Sequence, residues 1–237
     1  PGSGARLAVR VALGVTESHR ASAHGAYLQA VRSAAEGIAG LIRGLLADAL
    51  PADDLDALAQ VLETAGSGQA NLNSLVEVAE DNAGSALDTR RLRRLVDLAR
   101  RLADLAWRLS EGRQGIGRAT TGLVLTDGAS AAFPHNPFAV PVTLDPSGEG
   151  AQLAAGVLDG QLRQATSDLI LLRKANLELS HPEDAARLDP GLDALSWRDL
   201  DEEERSRCPV LWLVGSTGVL GGRGLAQVVS LLGSDLP

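Results

Sequence analysis

Near its C-terminal end the chain reads Pro209-Val-Leu-Trp-Leu-Val-Gly-Ser-Thr-Gly-Val-Leu-Gly-Gly-Arg-Gly-Leu-Ala-Gln-Val-Val-Ser-Leu-Leu, and this stretch limits what the rest can fold into. Val210–Val214 is apolar on both faces, which predicts a buried strand of the kind found inside parallel sheets. Five glycines follow between Gly215 and Gly224, and then Leu225, Val228, Val229 and Leu232 recur at helical spacing. A strand that turns through glycines into a helix presents bare backbone N–H groups and the positive pole of the helix to one point, an arrangement suited to a phosphate. The pattern Gly215-x-x-Gly218-x-x-Gly221 also fits a dinucleotide (NAD(P)) turn of the Rossmann type, though such a turn opens its domain and its half-sheet would have to lie beyond Pro237. A P-loop is excluded, because no Gly-Lys-Ser/Thr closes the turn.

Composition narrows the classes of partner. The 237 residues carry a net charge of −8, which argues against nucleic acid and against an anionic membrane surface. Apolar residues make up 45% and aromatic residues 3%, so a core of Ala, Leu and Val is expected. One cysteine excludes an internal disulfide and a cysteine-held zinc or iron–sulfur site, a usage expected of the cytoplasm. No apolar run reaches the length of about 18 residues that would span a membrane. The chain begins Pro-Gly-Ser-Gly and contains no methionine, from which a piece of a longer polypeptide is expected.

Residues 1–112 read as helical. Tyr27, Leu28, Val31, Ala34, Ile38, Leu41, Ile42 and Leu45 predict a helix over Ser18–Leu46. His19 and His24, five apart, do not share a helix face and read as solvated residues rather than metal ligands. Pro51 with Asp53 and Asp54 opens a second helix to about Thr64, and a short third helix covers Leu72 to Ala79. Asp88 caps the strongest helix, to Ser110, with Leu92, Leu95, Leu98, Leu102, Leu105 and Leu109 in one stripe. Its seven arginines alternate with Asp97 and Asp104, the pattern of a solvated, ion-paired face.

From Gly112 the character changes, and 113–237 reads as an α/β domain. Thr121–Thr126 predicts a buried strand, Asp127-Gly-Ala-Ser a turn, and Phe133-Pro-His-Asn-Pro-Phe-Ala-Val-Pro the centre of a long ordered loop. A helix is predicted over Glu149–Leu179, with Leu153, Val157, Leu162, Leu169, Leu172 and Ala175 inward and with Gly156 and Gly160 marking close packing. Ser180-His-Pro stops it, and the acids between Asp199 and Glu204 cap a short helix before the strand at 210. Strands alternating with helices predict a parallel sheet, whose ligands bind outside the carboxyl ends of the strands.

Three blocks in this half, taken together, resemble the thiamine-diphosphate domain of the pyruvate:ferredoxin (2-oxoacid:acceptor) oxidoreductase family. They are Gly122–Ser130 with the loop from Phe133, Leu153-Ala-Ala-Gly-Val-Leu-Asp-Gly-Gln-Leu-Arg, and Ser196–Gly215 running into the glycine turn. The resemblance covers about Leu95 to Pro237 and implies a thiamine-diphosphate-type parallel sheet with covering helices, preceded by the helical region. It implies thiamine diphosphate and magnesium as cofactors, decarboxylation of a 2-oxoacid, acyl transfer to coenzyme A, and electrons passed to a ferredoxin-type iron–sulfur carrier. Other domains or subunits of the same oxidoreductase would be its partners, in an oligomer. The resemblance assigns the diphosphate to Gly215, Ser216, Thr217, Gly218 and Gly222, the thiazolium or substrate to Thr126, Gly128 and Ser130, and the covering loop to His135 and Asn136. Thr217 would also face the metal, standing where the family has an aspartate; Gly222 replaces a second acid and Ala129 a cysteine. These replacements open a second reading, in which the domain is a catalytically degenerate scaffold within a larger complex.

Overall fold

The computed structural model describes residues 3–49, 88–113, 115–126, 140–145, 150–215 and 223–233. Its elements, in order, are α1 (Ser3–Ala49), α2 (Thr89–Ser110), β1 (Thr121–Thr126), β2 (Val142–Asp145), α3 (Gly150–Ser180), α4 (Pro182–Asp193), a 3-10 turn (Trp197–Asp199), α5 (Glu202–Arg207), β3 (Val210–Val214) and α6 (Arg223–Leu232). The chain is thus mixed α/β, mostly helical, with one three-stranded parallel sheet among the described residues. Its contacts fall into two units. One draws on Pro1–Tyr27, Arg118–Leu169 and Leu195–Pro237, and the other on Leu28–Gly117 and Ile170–Ala194. The predicted helices after Pro51 and over Leu72–Ala79, the turn from Asp127 and the centre of the loop from Phe133 lie outside the described residues.

The first unit is built on the sheet, in the order β2-β1-β3. β1 pairs in parallel with both neighbours, and all six of its residues are buried. A central strand covered on both faces has no need of alternation, and Thr-Gly-Leu-Val-Leu-Thr shows none. β2 falls where a continuous loop was expected. Its four residues follow Pro141, whose carbonyl accepts from Leu123 N–H at 3.0 Å, and a segment so short carries too little periodicity to stand out. β3 corrects a second expectation. Its residues are half-buried, and Trp212 is 36% exposed, because among the described residues it pairs with β1 on one side only.

The start of α1 packs on this sheet. Leu13 is buried in a cluster with Leu123, Leu125 and Val140, and Val9 lies against it. The expected start at Ser18 was too late by fifteen residues, since the helix begins at Ser3. The early turns carry Leu13 on the covered side and Leu7, Val11 and Val15 exposed elsewhere, so apolar residues surround the helix and the one-sided stripe disappears.

α3 also corrects the sequence. Gly156 and Gly160 face open space, with nothing within 4 Å of an added Cβ. Leu153 and Val157 are only half-buried. The close approaches are at other glycines. A Cβ on Gly122 would stand 2.9 Å from Leu211 and 3.1 Å from Gln161 of α3, and one on Gly150 would stand 2.3 Å from Thr126. The helix therefore starts beside the end of β1 and reaches its beginning at Gln161, running antiparallel to the strand.

In the second unit, α2 is the anchor. Asp88 accepts from Arg91 N–H at 3.0 Å, an N-cap that satisfies one of the free amides of the first turn. Leu92, Leu95, Leu98, Leu102, Leu105 and Leu109 are all buried, as the stripe requires. Outside them Arg100 pairs with Asp97 at 2.8 Å and Arg108 with Asp104 at 2.9 Å. Such exposed pairs contribute about 0–1 kcal/mol each. Gly117, at φ +75°, ends the segment; a Cβ there would lie 2.4 Å from the Leu109 carbonyl oxygen, and its N–H donates to Glu111 O at 2.7 Å. Val31, Ala34, Ile38, Ile42 and Leu46 of α1 are buried on this unit's side of the helix.

The short elements follow their caps. α4 starts with Pro182 after exposed His181, and α5 has a capping box in which Glu204 N–H donates to Asp201 and Asp201 N–H to Glu204. Cys208 follows α5, buried, with its thiol pKa pushed up by that burial. Among the described residues no helix is long and apolar enough to cross a membrane.

Leu102 is fully buried in the α2 stripe, so Leu102→Ala is expected to cost about 2–5 kcal/mol in urea unfolding, against about 1 kcal/mol for Asp88→Ala. Because burial keeps the Cys208 thiol protonated, it should react slowly with an aromatic disulfide reagent at neutral pH and rapidly once guanidinium unfolds the chain. Equal rates in both conditions would contradict its placement.

Candidate functional site

Parallel pairing decides where the turns lie. Leu125 stands opposite Val214, and one step further along are Thr126 at the end of β1 and Gly215 after β3. On the other side Thr126 is in register with Asp145, the last residue of β2. The carboxyl-end rim of the sheet therefore presents Asp145, Thr126 and Gly215 side by side on the backbone. Thr126 is fully buried and Gly215 exposed. The start of α3 meets this rim directly, since Gly150 packs against the Thr126 side chain with no room for a side chain of its own. A helix start carries amides without intrahelical acceptors and a partial positive charge, so the rim combines a glycine backbone and a positive helix pole, with the Thr126 hydroxyl buried beneath Gly150.

The opposite rim is tied down by polar contacts. Val210 N–H donates to Thr120 O at 3.1 Å, and the Thr120 hydroxyl donates to Glu17 at 2.9 Å. Arg20 donates to the Cys208 carbonyl, and burial pulls its guanidinium pKa down while the Glu17 charge works against that shift. Arg118 pairs with Asp168 of α3, whose side chain is 4% exposed and which also accepts from Gln164 at 3.0 Å. Arg207 lies over the Tyr27 ring at 5.6 Å. A buried carboxylate held by two donors is destabilising to break, so these contacts hold α1, α3 and the sheet in place at this rim.

Of the residues singled out from sequence, Thr126 and Gly215 are described and stand together. Ser216, Thr217, Gly218, Gly222, Gly128, Ser130, His135 and Asn136 lie outside the described residues, and with them the weak metal position at Thr217. Both strand ends from which those turns leave are on one rim. No protein-family model, curated protein or solved structure matches this chain. Among the described residues no group of three or more His, Cys, Asp and Glu is placed to hold a metal ion.

Sequence reasoning missed two rim residues. Asp145 was hidden because β2 was not foreseen; the signal was the short Val-Thr-Leu-Asp run after Pro141. Gly150 was passed over as a helix start, although Ser147-Gly-Glu-Gly shows that small residues cluster where α3 approaches the strand.

Two glycine substitutions on one helix should have opposite signs. Gly150→Ala forces a methyl into Thr126 and is expected to destabilise by about 1–3 kcal/mol, the usual cost of overpacking. Gly156→Ala enters open space within a helix and is expected to stabilise by about 0.5–1 kcal/mol. Chemical unfolding of both variants, compared with the parent, measures the pair.

Proposed function

We propose that this chain is part of a 2-oxoacid:ferredoxin oxidoreductase-like protein, and that the carboxyl-end rim of its sheet receives the diphosphate of thiamine diphosphate. One placement carries the reading: β1 and β3 are parallel neighbours, so the two turns rich in glycine and hydroxyls leave the sheet side by side. A diphosphate calls for N–H donors and positive potential, which the start of α3 and the glycine backbone at 215 are suited to supply. Magnesium at a diphosphate takes oxygen ligands, carboxylates among them. Thr217 stands at the metal position and brings no charge to that role, which is where the reading departs from the usual donor set.

When bound, thiamine supplies the carbanion chemistry of decarboxylation. The chain's part would be to hold and orient it: Ser130 would serve the ring and substrate with Thr126 buried behind it, Ser216, Thr217 and Gly218 would hold phosphate oxygens, and the loop bearing His135 and Asn136 would exclude water. An iron–sulfur carrier elsewhere in the assembly takes the electrons.

One observation favours the second reading, a scaffold domain of the same type. Leu225, Val229 and Leu232 of α6 are 47, 59 and 80% exposed, and Trp212 of β3 is also exposed, so these apolar side chains are left uncovered among the described residues. Such surface suits burial against another domain or subunit.

Titration calorimetry of the full-length polypeptide separates the two. The oxidoreductase reading expects saturable binding of thiamine diphosphate in the presence of magnesium, at about micromolar Kd, weakened about tenfold or more by Thr217→Ala. No heat at about millimolar cofactor would leave the scaffold reading standing.

A further inference from the structure

From Ser3 to Gly25, within the first unit, α1 has a face that its own chain leaves uncovered. At about 100° per residue, Leu7, Val11, Gly14, Val15, Ser18 and Ser22 fall in one strip turned away from buried Leu13. All six are exposed, Leu7, Val11 and Val15 at 62, 56 and 64%. Arg6, Arg10, Glu17 and Arg20, the charged residues of this part of the helix, all fall outside the strip. A surface helix normally carries its charges on the face opposite its core, and here that face has none.

The strip also gives up helix stability to glycine. Among the described residues nothing lies within 4 Å of a Cβ added to Gly14, or to Gly25 at the end of the strip. Glycine inside a helix is less stable than alanine, and no neighbour in this chain needs the space it leaves. Such space serves a backbone that approaches from outside.

The strip is graded in size. Its large residues, Leu7, Val11 and Val15, come first, Gly14 stands at the middle, and the small Ser18, Ser22 and Gly25 come last. Consider it laid antiparallel on a second strip of the same sequence, with a two-fold axis between Gly14 and Val15. Each large residue then meets a small one: Leu7 the partner's Ser22, Val11 the partner's Ser18, and Val15 the partner's Gly14. The same order brings Arg10 of each copy to within two residues, about 3 Å along the axis, of the partner's Glu17, on the flank that both residues share. A two-fold contact needs a patch complementary to itself, which a strip of uniformly large residues would not be.

We propose that this face of α1 is a homodimer interface, covered by the same face of a second copy in antiparallel order. The test is sedimentation equilibrium of the whole chain from about 1 to 200 µM. Expected is a reversible dimer of twice 24.6 kDa with Kd of about 1–50 µM. Val11 is exposed, so Val11→Asp should fold as the parent does by circular dichroism, and should weaken dimerisation about tenfold or more by burying a charge. Gly14→Leu should weaken it similarly by filling the space opposite the partner's Val15. Leu225→Asp, on exposed α6, should leave the dimer as it is.

Orientation is read by cross-linking, because the one native thiol, Cys208, is buried. Under mild oxidation Gly14→Cys should join two copies, its thiols standing about 1.5 Å apart along the helix axes. Gly4→Cys should not, with about 32 Å between the two copies of that position. A chain monomeric at about 200 µM would overturn the proposal, as would a dimer undisturbed by Val11→Asp or one lost in Leu225→Asp. Cross-linking through Gly4→Cys, the mark of a parallel pair, would overturn it too.

Discussion

The pairing of β1 with a parallel neighbour on each side is the constraint on which the first unit depends. A parallel ladder on both sides makes β1 the central strand, with the start of α1 and with α3 packed against it. That is why β1 can be apolar throughout, and why Gly122 is small: α3 crosses it at Gln161 while Leu211 presses from β3. The same pairing places Thr126, Gly215 and Asp145 together. Remove either ladder and the rim no longer exists as a surface, whatever the chemistry of its turns.

Much of this was legible from the residues, for definite reasons. Asp88 and the leucines from Leu92 to Leu109 carry a cap and a one-sided stripe, two local signals that agree, and α2 runs as they predict. Thr121–Thr126 and Val210–Val214 were recognisable as strands from length and apolarity alone. What the residues could not convey was exposure. Val-Leu-Trp-Leu-Val looks identical in a central strand and at an edge, since the difference lies in which neighbour is present. Gly156 and Gly160 illustrate the same limit: a glycine in a helix is written the same way whether a backbone approaches it or water does.

The rim was legible in part. Two glycine turns after two strands imply one binding edge only if the strands are parallel and adjacent, and that adjacency is a long-range fact no spacing encodes. Asp145 and Gly150 belong to the rim through register and through the descent of α3, neither of which can be read from four residues of strand or from one glycine. Sequence patterns name chemistry best where one continuous segment carries the motif. They name it poorly where separate segments meet, which describes Asp145 beside Thr126.

Two buried carboxylates of α3 show two ways of holding charge inside. Asp168 accepts from Arg118 on one oxygen and from Gln164 on the other, so both oxygens are bonded. Glu178, about three helical turns on, has the same burial, but its Oε1 takes the hydrogen bond from Arg94 while Arg91 Nε stands 3.7 Å from Oε2. An oxygen without a donor in a low-dielectric setting subtracts from stability, so the Glu178 pair ties α3 to α2 with less gain per buried charge than the Asp168 pair gives where α3 meets the segment before β1.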